Sequence, residues 1–160
     1  MRTGVQPRAN GVLVVIKAKD CGACKSLEAN GTFGRIDELV NLGTDGSVQT
    51  LALDHMAPAP GGDLFNMVRE FPRFMYMFPA TFDDAIDANV DVKSIISEVR
   101  FFNHTYDPVL HKMSRTSSFP ITFDAIQAFC DRSMNDLLST RMPTAPHDGL
   151  VARYQRTPYY

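Results

Sequence analysis

The chain has little of several features that mark particular protein classes. It contains no tryptophan and only three cysteines in 160 residues, so it lacks the dense cysteine spacing of a small disulfide-stapled secreted domain. Its uninterrupted apolar runs, such as residues 12–16, reach five residues. A membrane-spanning helix needs about 20 apolar residues and a signal-peptide core about 7 to 15. We therefore expect a soluble, intracellular protein with no secretion signal and no membrane association.

The chain also lacks an excess of charge of one sign. Lysine and arginine number 16 and aspartate and glutamate 18, for a formal net charge of −2. A protein that binds the phosphate backbone of nucleic acids normally carries a strong positive excess, so we expect no nucleic acid partner. The apolar fraction of 44% and the charged fraction of 21% are typical of a globular domain of this length.

The apolar pattern predicts alternating strands and helices. The β-branched run at residues 12–16 is continuous, which is typical of a strand buried on both faces of a sheet. From Cys24 to Val40 apolar residues recur at helical spacing with a break at Asn30 and Gly31, which predicts a two-part helix. The later predicted elements are a strand at 48–53, a helix from Asp63 to Arg69, a strand at 74–78, a helix at 92–99 capped by Asp91, a weaker strand at 109–113 and a helix at 122–140. The sequence therefore predicts an α/β fold.

Two tails flank the predicted domain at 12–140. Residues 1–11 are predicted to form an extended N-terminal arm and residues 141–160 an extended C-terminal tail, because neither has an apolar period and each has a net charge of +2. Segments of this composition bury too little apolar area to offset their ordering entropy. Tyr154, Tyr159 and Tyr160 suit contact with a neighbouring protein. We expect protein partners to hold both arms; the alternative is a functionless tail.

Cys21 and Cys24 are the main candidates for chemistry. They lie three residues apart, after the first predicted strand and at the start of a helix. A thiolate at this place is favoured by unsatisfied backbone N–H groups and by the positive end of the helix dipole. Cys24 lies one turn further on the same face, where it can close a disulfide with Cys21. We predict that Cys21 is the attacking sulfur and Cys24 the resolving sulfur.

A zinc site is the alternative use of the two thiols. It requires two further ligands, and the third cysteine and the four histidines show no paired spacing in the sequence. We therefore expect no metal and no cofactor, Cys130 in the core of the last helix, and the four histidines at the surface or in loops. The third cysteine and the histidines are Cys130, His55, His104, His111 and His147.

Residues 12–25 resemble the redox segment of thioredoxins, in which a buried strand leads into C-G-x-C-K at a helix start; here the motif is Cys21-Gly22-Ala23-Cys24-Lys25. A second match is Phe71-Pro72 before the predicted strand at 74–78, where thioredoxins carry a cis-proline. The resemblance implies a thioredoxin-like fold from about residue 12 to 139, with a mixed central sheet flanked by helices. It also implies a cis peptide bond at Pro72 beside the two cysteines, and an insertion at 79–108 before the last strand.

Two residues depart from the thioredoxin pattern. Asp20 stands where the family usually has an aromatic residue, commonly tryptophan, and its charge disfavours a neighbouring thiolate. Val15 stands where thioredoxins keep a buried acid that moves a proton for the resolving thiol. These departures predict slow thiol-disulfide exchange.

With the basic arms, the departures favour a structural or interaction subunit of a large assembly as the main function. The chain resembles small thioredoxin-like proteins with degraded redox surroundings in virions of large DNA viruses, such as minor capsid proteins. This resemblance implies a location in the cytoplasm or the virion. The alternative is an active protein thiol-disulfide oxidoreductase with a protein thiol substrate.

Overall fold

A computed structural model describes residues 11–38, 46–53 and 63–141 of the chain, and for 46–53 and Arg141 it describes the backbone alone. The predicted arms at 1–11 and 141–160 lie outside the described residues except for Gly11 and Arg141. Within the described ranges, no helix is both long and apolar enough to cross a membrane.

The described elements are a mixture of strands and helices, but the strict alternation that the sequence predicts is wrong, because the last three strands follow one another without a helix between them. The predicted α/β class and the predicted long last helix are confirmed. In chain order the elements are β1 (Gly11–Ala18), α1 (Gly22–Ala29), α2 (Thr32–Asp37), β2 (Gly46–Leu53), α3 (Asp63–Asn66), β3 (Arg73–Met77), α4 (Pro79–Ala85), α5 (Val92–Ile95), a 3₁₀ turn (Ile96–Glu98), β4 (Arg100–Phe101), β5 (His104–Asp107), β6 (Lys112–Arg115) and α6 (Phe123–Arg141).

Four strands form a mixed sheet in the order β2-β1-β3-β4. β1 is parallel to its neighbour β2 and antiparallel to its other neighbour β3, and β4 is antiparallel to β3. The run from Val12 to Ile16 is at most 5% exposed, which confirms the prediction of a strand covered on both faces. β5 and β6 form a separate antiparallel hairpin.

Side-chain alternation along β1 and β3 gives the mixed sheet two faces with separate apolar clusters. The dithiol face carries Leu13, Val15, Phe74 and Tyr76, which cluster with residues of α1, α2 and α6. The hairpin face carries Val12, Val14, Ile16, Met75 and Met77, which cluster with residues of α3, α4, α5 and with Tyr106 of the β5-β6 hairpin.

Local chemistry explains where two helices begin. At the predicted break, Asn30 Oδ1 accepts a hydrogen bond of 3.0 Å from the Thr32 N–H, and Gly31 has φ of 85°. This left-handed conformation favours glycine and separates α1 from α2. Asp91 caps α5 by accepting a hydrogen bond from the Lys93 N–H at 3.1 Å. Both predicted helix starts are confirmed, although α5 becomes a 3₁₀ turn after Ile95.

The predicted strand at 109–113 is wrong over its first residues. Val109 and Leu110 lie in the turn between β5 and β6, and they are 87% and 60% exposed. Their N–H groups donate to Asp107 Oδ1 at 2.9 and 3.2 Å, so an aspartate-centred turn replaces strand pairing there. The last strand of the mixed sheet is instead β4, within the predicted insertion at 79–108. That 79–108 is an insertion relative to thioredoxins stays a prediction.

Candidate redox site

Cys21 is the N-cap of α1 and uses its sulfur as the capping acceptor. Its backbone is extended, with φ of −94° and ψ of 114°, and its Sγ accepts a hydrogen bond of 3.0 Å from the Cys24 N–H. The Lys25 N–H donates to the Cys21 carbonyl at 3.0 Å and begins the helical ladder. The sulfur therefore does what an N-cap serine or aspartate oxygen does, and α1 holds it at a fixed place.

The structure brings the two predicted sulfurs together. Cys21 and Cys24 are bonded as a disulfide, with their Cα atoms 5.1 Å apart. The Cys24 residue is only 6% exposed, whereas Cys21 is half-buried. An approaching molecule therefore reaches Cys21 before Cys24, although the assignment of attacking and resolving roles stays a prediction.

Pro72, the third predicted site residue, lies at the same place. The Phe71-Pro72 peptide bond is cis, as the resemblance to thioredoxins implies. The carbonyl oxygen of Phe71 lies 3.3 Å from Cys21 Sγ. In the reduced protein the Cys21 S–H can donate a hydrogen bond to this oxygen.

Two backbone groups act on the Cys21 sulfur in opposite directions. In the reduced protein the Cys24 N–H can donate to a Cys21 thiolate, whereas the Phe71 carbonyl can accept a hydrogen bond from the Cys21 thiol but not from the thiolate. The Phe71 contact was missed by sequence reasoning because it comes from a main-chain atom, and no residue type signals it.

Val15 lies 2% exposed in the apolar cluster that includes Cys24. The buried polar or charged side chains of the described residues are Arg73, Thr81, His104 and Ser133, and none of these is an acid. In the described part of the chain, therefore, no buried carboxylate serves the dithiol as a proton acceptor.

A shallow groove lies over Cys21. Its volume is about 280 Å³ and its lining includes Asp20, Gly22, Ala23 and Phe71. A Cβ added at Gly22 would meet no atom within 4 Å, so the groove is open at this part of its lining. A polypeptide segment can therefore approach Cys21 across this groove.

The zinc alternative gains no support from the geometry. No group of three or more histidine, cysteine, aspartate or glutamate side chains comes together to hold a metal within the described ranges. His55 and His147 lie outside the described residues. Cys130 is half-buried and packs against the dithiol-face cluster. Burial, with a further contribution from Asp131, raises the pKa of its thiol to about 12.

One histidine differs from its prediction. His104 was expected at the surface or in a loop, but it lies in β5 and is 8% exposed. Its Nδ1 is 3.1 Å from the Phe102 carbonyl and its Nε2 is 3.1 Å from Glu70 Oε1. These two partners offset the cost of burying the ring. His104 and Glu70 are far apart in sequence, so no local sequence pattern predicts their contact.

The Cys21-Cys24 pair and the mixed α/β content are compatible with the resemblance to thioredoxins. Comparison of the chain with protein-family models, with curated proteins and with solved structures finds no match. The site is thus defined by three features: the N-cap sulfur, the buried second cysteine and the Phe71 carbonyl.

Proposed function

We propose that the chain is a thioredoxin-like protein whose Cys21-Cys24 dithiol exchanges with disulfides of other proteins. The observation that carries the proposal is the position of Cys21 Sγ. It caps α1 beside Cys24 and lies 3.3 Å from the carbonyl that precedes the cis bond at Pro72. A merely structural disulfide has no need of an open groove over its outer sulfur.

The exchange proceeds in two displacements. The Cys21 thiolate attacks one sulfur of a substrate disulfide, forming a mixed disulfide and releasing the other substrate sulfur as a thiolate. The Cys24 thiol then loses its proton to solvent and attacks Cys21 Sγ. The second substrate sulfur leaves as a thiolate and takes up a proton, so the substrate gains two electrons and the protein is left with the Cys21-Cys24 disulfide.

The chain's own residues set a slow rate for this exchange. Val15 offers no acceptor for the Cys24 proton, and the Phe71 carbonyl favours the Cys21 thiol over the thiolate. The exposed Asp20 carboxylate adds a negative charge next to Cys21 in the chain. Lys17 does little to offset this charge, since it pairs with Glu28 at 3.5 Å.

Reduction of insulin with dithiothreitol as the electron donor tests the proposal. Wild type should accelerate precipitation of the insulin B chain above the dithiothreitol background, at a rate well below that of an efficient thioredoxin. Cys21→Ser should return the rate to background, because it removes the attacking sulfur. Cys130→Ser is the matched control and should behave as wild type. A Cys21→Ser protein that keeps the wild-type rate would refute the redox function.

A role as an interaction subunit is the second candidate, and the β5-β6 hairpin supports it. Val109 and Leu110 at the hairpin tip are 87% and 60% exposed, and Phe119 is 63% exposed. The adjacent exposed side chains of Val109 and Leu110 favour contact with another protein, whereas Phe119 lies beside Asn103 at the other end of the hairpin. The basic arms that suggest this role lie outside the described residues, so the dithiol carries the stronger case.

Truncation and tip substitution test the second candidate. Deletion of 142–160 removes only chain beyond the end of α6, so the domain should stay folded and thermal unfolding should be unchanged. If the protein is a subunit of a large assembly such as a virion, the truncated protein should be lost from that assembly, and Leu110→Ser should weaken incorporation more than the control Ile86→Ser. Normal stoichiometry of the truncated protein would refute the tail as an anchor.

A further inference from the structure

Arg73 is a buried arginine on the hairpin face of the sheet. It directly follows Pro72, begins β3 and is 3% exposed. Its Nη1 donates to the thioether sulfur of Met113 at 2.7 Å, and its Nε has no hydrogen-bond partner among the described residues. A guanidinium binds best to oxygen acceptors, which match its planar fork of donors. Arg73 therefore presents a buried charge that the described residues leave incompletely paired.

The inner face of the β5-β6 hairpin covers this guanidinium. His104 lies opposite Arg115 in the ladder, and Tyr106 lies opposite Met113. Because side chains alternate along a strand, these four share one face of the hairpin. The contact of Arg73 with Met113 shows that Arg73 points toward that face. Two arginines and one histidine therefore converge between β3 and the hairpin.

Glu70 supplies the carboxylate of the cluster. Its Oε1 accepts hydrogen bonds from His104 Nε2 at 3.1 Å and from Arg115 Nη2 at 3.0 Å. Burial lowers the pKa of Arg73 to about 10, an effect that Glu70 partly opposes and Arg115 increases. One carboxylate thus faces two guanidinium groups, and the cluster lacks at least one negative charge.

We propose that Arg73, His104 and Arg115 form a binding site for a tetrahedral oxyanion, a phosphate or sulfate group. Glu70 occupies two of its donors in the unliganded protein. The Glu70 side chain is 57% exposed and Arg115 is 49% exposed, so both can move as an anion enters from solvent. The anion then accepts from Arg115 and His104 in place of Glu70 and brings an oxygen to Arg73 Nε. This site lies on the opposite face of the sheet from Cys24 and does not depend on the redox function.

Titration of the ¹⁵N-labelled full chain tests the site by the side-chain N–H resonances of its arginines. Sodium phosphate is added at constant ionic strength against sodium chloride, and O-phosphoserine is titrated in a second series. We expect a saturable shift of the Arg73 Nε–H signal, which Arg73→Lys identifies by its loss. Saturation by either probe supports the site, and the tighter of the two shows whether it prefers a free anion or a phosphate monoester.

Two surface variants make the titration specific. Arg115→Gln should weaken binding by about tenfold or more, because it removes a charge-assisted donor. Glu70→Gln should tighten binding by about tenfold, because the internal competitor loses its charge. The matched controls Arg132→Gln and Glu28→Gln change the same charges at exposed positions on α6 and α1 and should leave the dissociation constant unchanged.

Three results would overturn the proposal. The first is a linear, non-saturating shift in both series. The second is an equal response to chloride, which would reduce the effect to ionic screening. The third is an equal change of affinity in the control variants and in the Arg115 and Glu70 variants, which would show a response to net charge alone.

Discussion

The two faces of the mixed sheet differ in what they bury. The dithiol face holds Cys24 among largely apolar side chains, whereas the buried arginine and histidine of the described residues, Arg73 and His104, belong to the hairpin side. Both faces meet at the short segment around Pro72. The Phe71 carbonyl contacts Cys21 on the dithiol face, whereas the Arg73 side chain contacts Met113 on the hairpin face. Because side chains alternate along β3, the apolar surroundings of Cys24 and the buried Arg73 lie on opposite faces of the sheet.

The largest expected effect comes from breaking the apolar dithiol face. Phe74 is 1% exposed, and its ring meets that of Phe102 edge-on with centroids 6.0 Å apart. Phe74→Ala should lower the free energy of unfolding by about 3 to 5 kcal/mol, because it leaves a cavity. Urea denaturation measures the loss. The exposed Phe119 is the control, and Phe119→Ala should change stability by less than about 0.5 kcal/mol; equal losses would contradict the assigned core.

The next largest effect is a difference in alkylation rate between two cysteines of the dithiol face, Cys130 and Cys21. At pH 8 a thiol with a pKa of about 12 is almost entirely protonated. In the reduced protein, iodoacetamide should therefore modify Cys130 at least about 100-fold more slowly than Cys21, which lies at an open groove. Mass spectrometry of timed samples measures both rates. In concentrated urea the difference should disappear; a difference that survives unfolding would not come from burial.

On the hairpin face we expect a smaller change in the free energy of unfolding, opposite in sign to that of Phe74→Ala. Arg73→Met replaces a buried charge by an apolar side chain of similar length, so it should raise the free energy of unfolding by about 1 to 2 kcal/mol in phosphate-free buffer. Arg73→Ala should instead destabilise the protein, because it removes packing against Met113. Thermal unfolding of both variants measures the contrast. Destabilisation by methionine would show that the guanidinium has a strong partner.

The smallest effect concerns the pH dependence of the same face. The hydrogen bond from His104, with the nearby Arg115, lowers the pKa of Glu70 below its ordinary value of 4.5. A carboxylate with a lowered pKa stabilises the fold above that ordinary value, and this contribution is lost as the pH falls through the lowered value. Glu70→Gln should therefore unfold at a lower temperature than wild type at pH 7, with the gap closing in acid. The gap should be modest because Glu70 is exposed, and a pH-independent gap would contradict the ionic origin.

Local sequence patterns predict the dithiol face well. The continuous run of β1, the Asn30-Gly31 break and the spacing of Cys21 and Cys24 are short-range signals, and each corresponds to a described feature. The cis bond at Pro72 was predicted by resemblance and is present. These features depend on residues close together in sequence or on one recognisable motif.

The hairpin face was less predictable because its contacts are long-range. β4 has two residues, too few to show a periodic pattern. Val109 and Leu110 are apolar like strand residues, but the Asp107 side chain directs them into a turn. Glu70 and His104 are paired across a gap of 34 residues, and polar residue types gave no indication that His104 is buried.

During synthesis, β1 leaves the ribosome before either strand that pairs with it. Gly11 pairs with Gly46 and Val12 pairs with Met77. The central strand therefore gains hydrogen-bonding partners on both sides only after both of these later strands have been synthesised. The last helix, α6, which covers the dithiol face, emerges later still. The nascent chain therefore exposes both Cys21 and Cys24 to cellular oxidants, reductants and chaperones before the fold shields Cys24. The oxidation state of the pair can be set on the ribosome, before the groove over Cys21 exists to select a partner.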